Sequence, residues 1–290
     1  MTKLEYKFTN DILFKSLFTK YTKLLERLVS ELLSIPYESI KDFRITNPEI
    51  QADEPGKKFC KLDINMAIDG RIVDLEVQVS NEGNYPERSL FYWAREFSTG
   101  LNERDDYSLA QQTIIISILG FNLFPDPQKY HSEYQALEVT SHEPLTDKMI
   151  LHYYELKKLT PLSKIDTGRE LWLKLFNAET EEDLAKIEEM GVPVMNEARA
   201  AYRKVTATEE FRNMERARLK ASHDEAQALA NERRKTQRED DEKYKVIIDA
   251  KDAELADKDA ELADKDAELA GKDAIIEQLR KAQGASAQLS

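Results

Sequence analysis

The residues best placed to do chemistry flank one dipeptide. Two runs, FCKLDINMAI at 59–68 and RIVDLEVQVS at 71–80, lie on either side of Asp69-Gly70. Both alternate apolar and polar side chains, and an Asp-Gly between such runs signals a two-residue β-hairpin. That turn pairs Ile68 with Arg71, Asn65 with Asp74, Asp63 with Glu76 and Lys61 with Gln78. Leu62, Ile64, Met66 and Ile68 then share one face with Val73, Leu75 and Val77, while Asp63, Asp74, Glu76 and Gln78 share the other. Directly opposed side chains have Cβ atoms ~4.5–5.5 Å apart, so the carboxylates of Asp63 and Glu76 repel unless something positive lies between them. A divalent cation reverses the sign of that interaction, and hard oxygen ligands at this spacing suit Mg²⁺ or Mn²⁺. The same pair also fits the solvated outer face of a hairpin, and the pattern alone leaves both readings open.

Other chemistry has little support. Cys60 is the one cysteine, which excludes a disulfide within the chain and a thiolate metal cluster. His131, His142 and His152 are spread along the sequence without metal-like spacing, and His223 lies in a charged segment, so surface or packing roles are expected for all four. There is no glycine-rich phosphate loop and no nucleophile elbow. Tyr92 and Trp93 sit at helical spacing from Phe97 and read as core rather than as base-stacking residues. The Glu232-Arg233-Arg234-Lys235 cluster is diluted by neighbouring acids and makes a poor nucleic-acid patch.

The elements that must position the hairpin come from its flanks. Residues 10–34 place Leu13, Phe14, Leu17, Phe18, Leu24, Leu25, Leu28 and Leu32 at helical spacings, with Asn10 or Thr9 as N-cap and Pro36 as terminator. Phe43–Asn47 reads as a short strand, and 48–58 as a loop through Pro55-Gly56. A second amphipathic helix is expected over 85–102, with Leu90, Phe91, Trp93, Ala94, Phe97 and Leu101 on its apolar side. The continuous apolar run Thr113–Leu119 reads as a central buried strand. Tyr134–Thr140 and Met149–Leu159 read as two strands of an extension. Short helices follow at 167–177 and 179–190, the second opening at Thr180 with Asp183 in a variant capping box.

Beyond residue 195 there is no proline, and glycine appears at 271 and 284 alone. Residues 196–245 are helix-forming and polar, which suits an exposed helix. KDAELAD then repeats at 251–257 and 258–264, with KDAELAG at 265–271 and KDAIIEQ at 272–278. Ile248, Leu255, Leu262, Leu269 and Ile276 fall seven apart, but the matching seam positions hold Lys251, Lys258, Lys265 and Lys272. Lysine there is poor seam chemistry. A solitary helix held by i,i+4 charge pairs and a weak coiled coil both fit. The chain thus divides into a globular domain at 1–195, a charged helical linker at 196–250, and a heptad-repeat helix with a frayed end at 251–290.

Composition sets limits on partners. The chain has 290 residues, 33% of them charged, and a net charge of −13. The segment 251–283 holds six basic and ten acidic residues, so its net −4 leaves −9 for the rest. Neutralising phosphates normally supplies most of a DNA binder's affinity, so this balance argues against tight salt-driven binding. It leaves room for a metal-assisted contact. No run approaches the ~20 apolar residues of a membrane span, and the N-terminus lacks the apolar stretch of a signal peptide. The expected location is cytoplasmic.

Three places in the sequence together resemble the recombination-promoting nuclease/transposase family, a bacterial branch of the PD-(D/E)XK nuclease superfamily. Asp11-Ile12-Leu13-Phe14-Lys15-Ser16-Leu17-Phe18 is similar to its opening D-x-x-F-K-x-x-F helix. Asp63, followed by Glu76-Val77-Gln78, resembles its D…E-x-Q core, and Arg88–Trp93 with the strand at 113–119 resembles what comes next. The resemblance spans about residues 5–190. It implies an α/β fold with a mixed sheet flanked by helices, a long helical tail, and a Mg²⁺- or Mn²⁺-dependent DNA endonuclease. On that reading Asp63, Glu76 and the Val77 carbonyl hold the metal, Gln78 positions a water, and DNA is the substrate. Gln78 stands where the superfamily often has lysine, and it cannot supply a positive charge; Lys61 or Lys15 could. A rival of another class is a catalytically degenerate nuclease fold that serves as an interaction module and self-associates weakly through its tail.

Overall fold

The computed structural model describes residues 2–46, 64–101, 106–162 and 167–287. The expected helix over 10–34 is two helices, α1 (Asp11–Lys20) and α2 (Thr22–Leu33), broken at Tyr21. The apolar stripe gives no sign of the break, since Leu17 to Leu24 and Phe18 to Leu25 are each seven apart and stay in helical phase. Tyr21, at φ −114° and ψ 65°, leaves the helical region and separates the two. Asn10 caps α1 as expected, its side chain accepting from the Leu13 amide at 2.9 Å.

Six strands form one mixed sheet: β1 (Phe43–Ile45), β2 (Ile64–Ile68), β3 (Arg71–Gln78), β4 (Thr113–Leu119), β5 (His131–Gln135) and β6 (Met149–Glu155), in spatial order β1-β2-β3-β4-β6-β5. The pairs β3/β4 and β4/β6 are parallel and the others antiparallel. The strands expected as an extension therefore complete the sheet, and β5 lies at His131–Gln135 rather than 134–140. A reverse turn occupies the displaced stretch, with His142 at φ +58° and a bridge between Leu137 and Pro144.

The hairpin has the expected register, with Ile68 opposite Arg71, Asn65 opposite Asp74 and Ile64 opposite Leu75. Asp69 (φ +47°) and Gly70 (φ +77°) are both left-handed, the requirement of the tight turn that joins twisted strands without splaying them. Asp69 also ties the approach to β1 onto the turn, since its Oδ1 accepts from the amides of Lys41 (3.0 Å) and Asp42 (2.9 Å).

One sheet face carries the main core. Ile64, Met66, Val73, Leu75, Ile116, Ile118 and Tyr154 pack there in one apolar cluster with residues of α1, α2, α4 (Gly168–Asn177) and α6 (Pro193–Thr206). Between the last two, α5 (Glu181–Glu189) opens on the expected Thr180/Asp183 capping box. Over its first turns the segment from 196 is not an exposed helix. Ala198, Ala201, Tyr202 and Val205 of α6 are buried, as is Phe211 at the start of α7 (Glu209–Ala287). Small Ala side chains let that stretch pack closely, and Glu197, Arg199, Arg203 and Lys204 between the buried positions give it its polar composition. The other sheet face is covered by α3 (Tyr85–Thr99) around Tyr85, Ile115, Leu119, Leu151 and Tyr153.

Residues up to Leu219 form one compact unit and those from Lys220 another. In the second, Leu255, Leu262 and Leu269 are each 57% exposed. Lys258 reaches Glu254 at 2.7 Å and Lys272 reaches Glu268 at 2.6 Å; such i,i+4 pairs contribute ~0.2–0.5 kcal/mol each to a helix. No helix among the described residues is long and apolar enough to cross a membrane.

Candidate active site

Period-two alternation puts Asp74, Glu76 and Gln78 of β3 on the sheet face beneath α3. That face is not solvated. Asp74 is 0% and Glu76 1% exposed, because α3 crosses over it and β4 shields its side. Parallel pairing sets Ser117 beside Glu76, and Tyr153 of β6 beside Ser117. The reading of the acidic pair as residues of an open outer face is thus overturned for Glu76. Asp63 and Lys61 lie outside the described residues, and the described pairing ends at Ile64 and Leu75.

A polar floor calls for a polar lid. Part of the expected apolar side of α3 faces outward, with Leu90 44% and Phe91 65% exposed, while Trp93 packs against the sheet-face cluster. Tyr85, Ser89 and Glu96 are buried instead. Ser89 Oγ and the Tyr153 hydroxyl are 2.5 Å apart, joining helix to sheet. Burial raises the Tyr85 phenol above its usual range, and the nearby Asp74 charge adds to the rise.

Arg88, one turn into α3, is the residue that sequence reasoning missed. Its Nη2 lies 3.8 Å from Glu76 Oε1 and 3.4 Å from Gln78 Oε1. Its Nε donates to the Tyr92 hydroxyl at 2.8 Å, and Nη1 pairs with Glu82 at 3.3 Å. The Gln78 amide is therefore oriented, since its Nε2 also donates to the Ser80 carbonyl at 3.0 Å. The available sequence signal was the Arg88/Tyr92 spacing of four just after the hairpin, which sets both on one helix face. Lys15 of α1, offered by the sequence as a source of positive charge, is buried and partnered.

A protein-family model described as PD-(D/E)XK nuclease family transposase matches residues 8–232. The chain belongs to this family. No curated protein and no solved structure gives a significant match. Membership accounts for the mixed sheet with flanking helices, and it gives the domain a nuclease- or transposase-like function in general terms. PD-(D/E)XK nucleases generally use divalent metals. The donors on the face beneath α3 fit one, since Asp74, Glu76 and Gln78 offer oxygen atoms, which hard cations prefer.

Proposed function

We propose that the acidic face of β3 is the catalytic centre of a Mg²⁺- or Mn²⁺-dependent DNA endonuclease. The observation that carries this reading is Glu76, a carboxylate at 1% exposure with the Arg88 guanidinium 3.8 Å away. Burying a carboxylate is costly, and apolar residues serve a sheet interior better. Sequences depart from that rule chiefly where a site needs the charge.

In this proposal Asp63, Glu76 and the Val77 carbonyl hold the metal, which when bound lowers the pKa of a water and polarises the scissile phosphate. Gln78 aligns that water through its fixed amide. Arg88 takes the part that lysine plays elsewhere in the superfamily, placing a fixed positive charge where charge builds up on the phosphate. Because the whole chain carries −13, DNA contact depends on the metal and on a few cations such as Arg88 rather than on a broad basic surface. The exposed Leu255, Leu262 and Leu269 support a weak self-association of the tail beside this activity. Nicking of supercoiled plasmid with Mg²⁺, Mn²⁺, Ca²⁺ or EDTA tests the reading. Cleavage with the first two alone is expected.

A further inference from the structure

The fold assembles a second group of ligating side chains on the opposite face of the sheet from Glu76. His131 and Glu133 alternate along β5, and the antiparallel register places Glu133 directly opposite His152 of β6 and His131 opposite Tyr154. Histidines 21 positions apart in sequence thus become neighbours, a proximity that spacing along the chain could not reveal. His131 Nε2 lies 3.1 Å from His152 Nδ1, and His152 Nδ1 lies 3.9 Å from Glu133 Oε2. One ligand atom from each of the three falls within 4.8 Å of the others.

We propose that His131 Nε2, His152 Nδ1 and the Glu133 carboxylate form a site for a zinc-class divalent cation. Zinc bonds to nitrogen and oxygen are ~2.0–2.2 Å, so ligand atoms around a tetrahedral ion sit ~3.4 Å apart. The separations of 3.1 and 3.9 Å straddle that value and need only small side-chain adjustments. The rings are held in place by their neighbours. His131 stacks on Tyr154 with centroids 4.4 Å apart and planes 8° apart, and the Tyr154 hydroxyl is anchored by donating to the Leu32 carbonyl.

Two imidazoles favour zinc or its first-row neighbours over Mg²⁺. Exposure rises from buried His152 to exposed Glu133, which leaves solvent access for a fourth ligand. Two cations face the site, Arg169 with Nη1 3.5 Å from His131 Nδ1, and Lys129. Arg169 is held there by Nε and Nη2 bonds to the Glu31 carbonyl and Ser34 hydroxyl, so metal on His131 Nε2 requires the Nδ1 proton to face Nη1, which weakens the site without closing it. A bound ion fastens the edge strand β5 to β6. The site stands apart from the proposed cleavage chemistry and does not depend on it.

Zinc titration of the full chain by calorimetry in excess Mg²⁺ tests it, with thermal melting alongside. One equivalent per chain is expected, together with a higher Tm. His131→Gln and Glu133→Gln should each weaken binding by at least about tenfold and abolish the rise in Tm, whereas Glu76→Gln and His142→Ala should leave both intact. Both ligand variants alter side chains that are only half-buried or exposed, so folding is checked by far-UV circular dichroism rather than assumed. Zinc uptake that is absent, indifferent to these two variants, or lost instead in Glu76→Gln overturns the assignment.

Discussion

Arg88 Nη2 stands 3.8 Å from Glu76 Oε1, so the helix above the sheet, and not β3, brings this cation to the candidate centre. Gln78, where the superfamily often has lysine, accepts from the same guanidinium at 3.4 Å. On the proposed reading, the neutral Gln78 on the strand and the charged Arg88 on the helix together stand in for a strand lysine.

It follows that Arg88→Met should slow cleavage by roughly 10²-fold, the usual loss when one fixed transition-state donor is removed. Gln78→Lys alone brings two like charges together and should gain little. The double variant Gln78→Lys/Arg88→Met should recover much of the loss. Single-turnover rates on a short duplex separate these outcomes, and a double variant no better than Arg88→Met contradicts the exchange.

Glu76 needs a substitution that keeps its volume. Surface changes usually stay within about 0.5 kcal/mol, but at 1% exposure Glu76→Ala removes buried atoms and partners, a loss of roughly 1–3 kcal/mol. Glu76→Gln should leave the Tm within a few degrees and abolish metal-dependent cleavage. Urea unfolding of the two variants measures the difference.

Asp69 gives a pH signature. Hydrogen bonds from the Asp42 and Lys41 amides hold its carboxyl below the ordinary value of 3.8. A depressed carboxyl pKa adds stability that is fully present above the unfolded value and lost as pH falls through the folded one. The stability advantage of wild type over Asp69→Asn should therefore be constant near neutrality and shrink below pH 3.8. Denaturant melts along a descending pH series follow that gap, and one that widens in acid excludes the assigned role.

Where α7 is cut should matter more than how much is removed. Deleting 246–290 should leave the Tm unchanged. Ending the chain at 208 removes buried Phe211, which meets Tyr6 edge-on at 4.8 Å, and Glu215, which accepts from Asn10 at 3.0 Å. Loss of a buried Phe side chain alone costs about 3–5 kcal/mol. Sedimentation of full-length protein should show weak association at most, reduced when Leu255, Leu262 and Leu269 become Ser.

The sequence was most legible where local chemistry decides. Asp69-Gly70 admits two positive φ angles in a row, so the register from Ile68 back to Ile64 followed from the dipeptide alone. The Thr180/Asp183 cap and the buried run at Thr113–Leu119 were legible for the same reason. What failed depended on partners distant in sequence. The inward face of α3 could not be read from its hydrophobic pattern, because the surface it covers holds Asp74, Glu76 and Ser117. His131 and His152 meet only because β5 adds to the sheet edge beside β6.

Whether DNA is cut at the acidic face of β3 is decided by plasmid nicking with purified wild type, Asp63→Asn and Glu76→Gln, each confirmed folded, in Mg²⁺ and in EDTA. Wild type should nick in Mg²⁺ alone, and neither variant should nick above background. Equal nicking by wild type and Glu76→Gln, or no nicking by wild type with any divalent metal, rules out catalysis at this face.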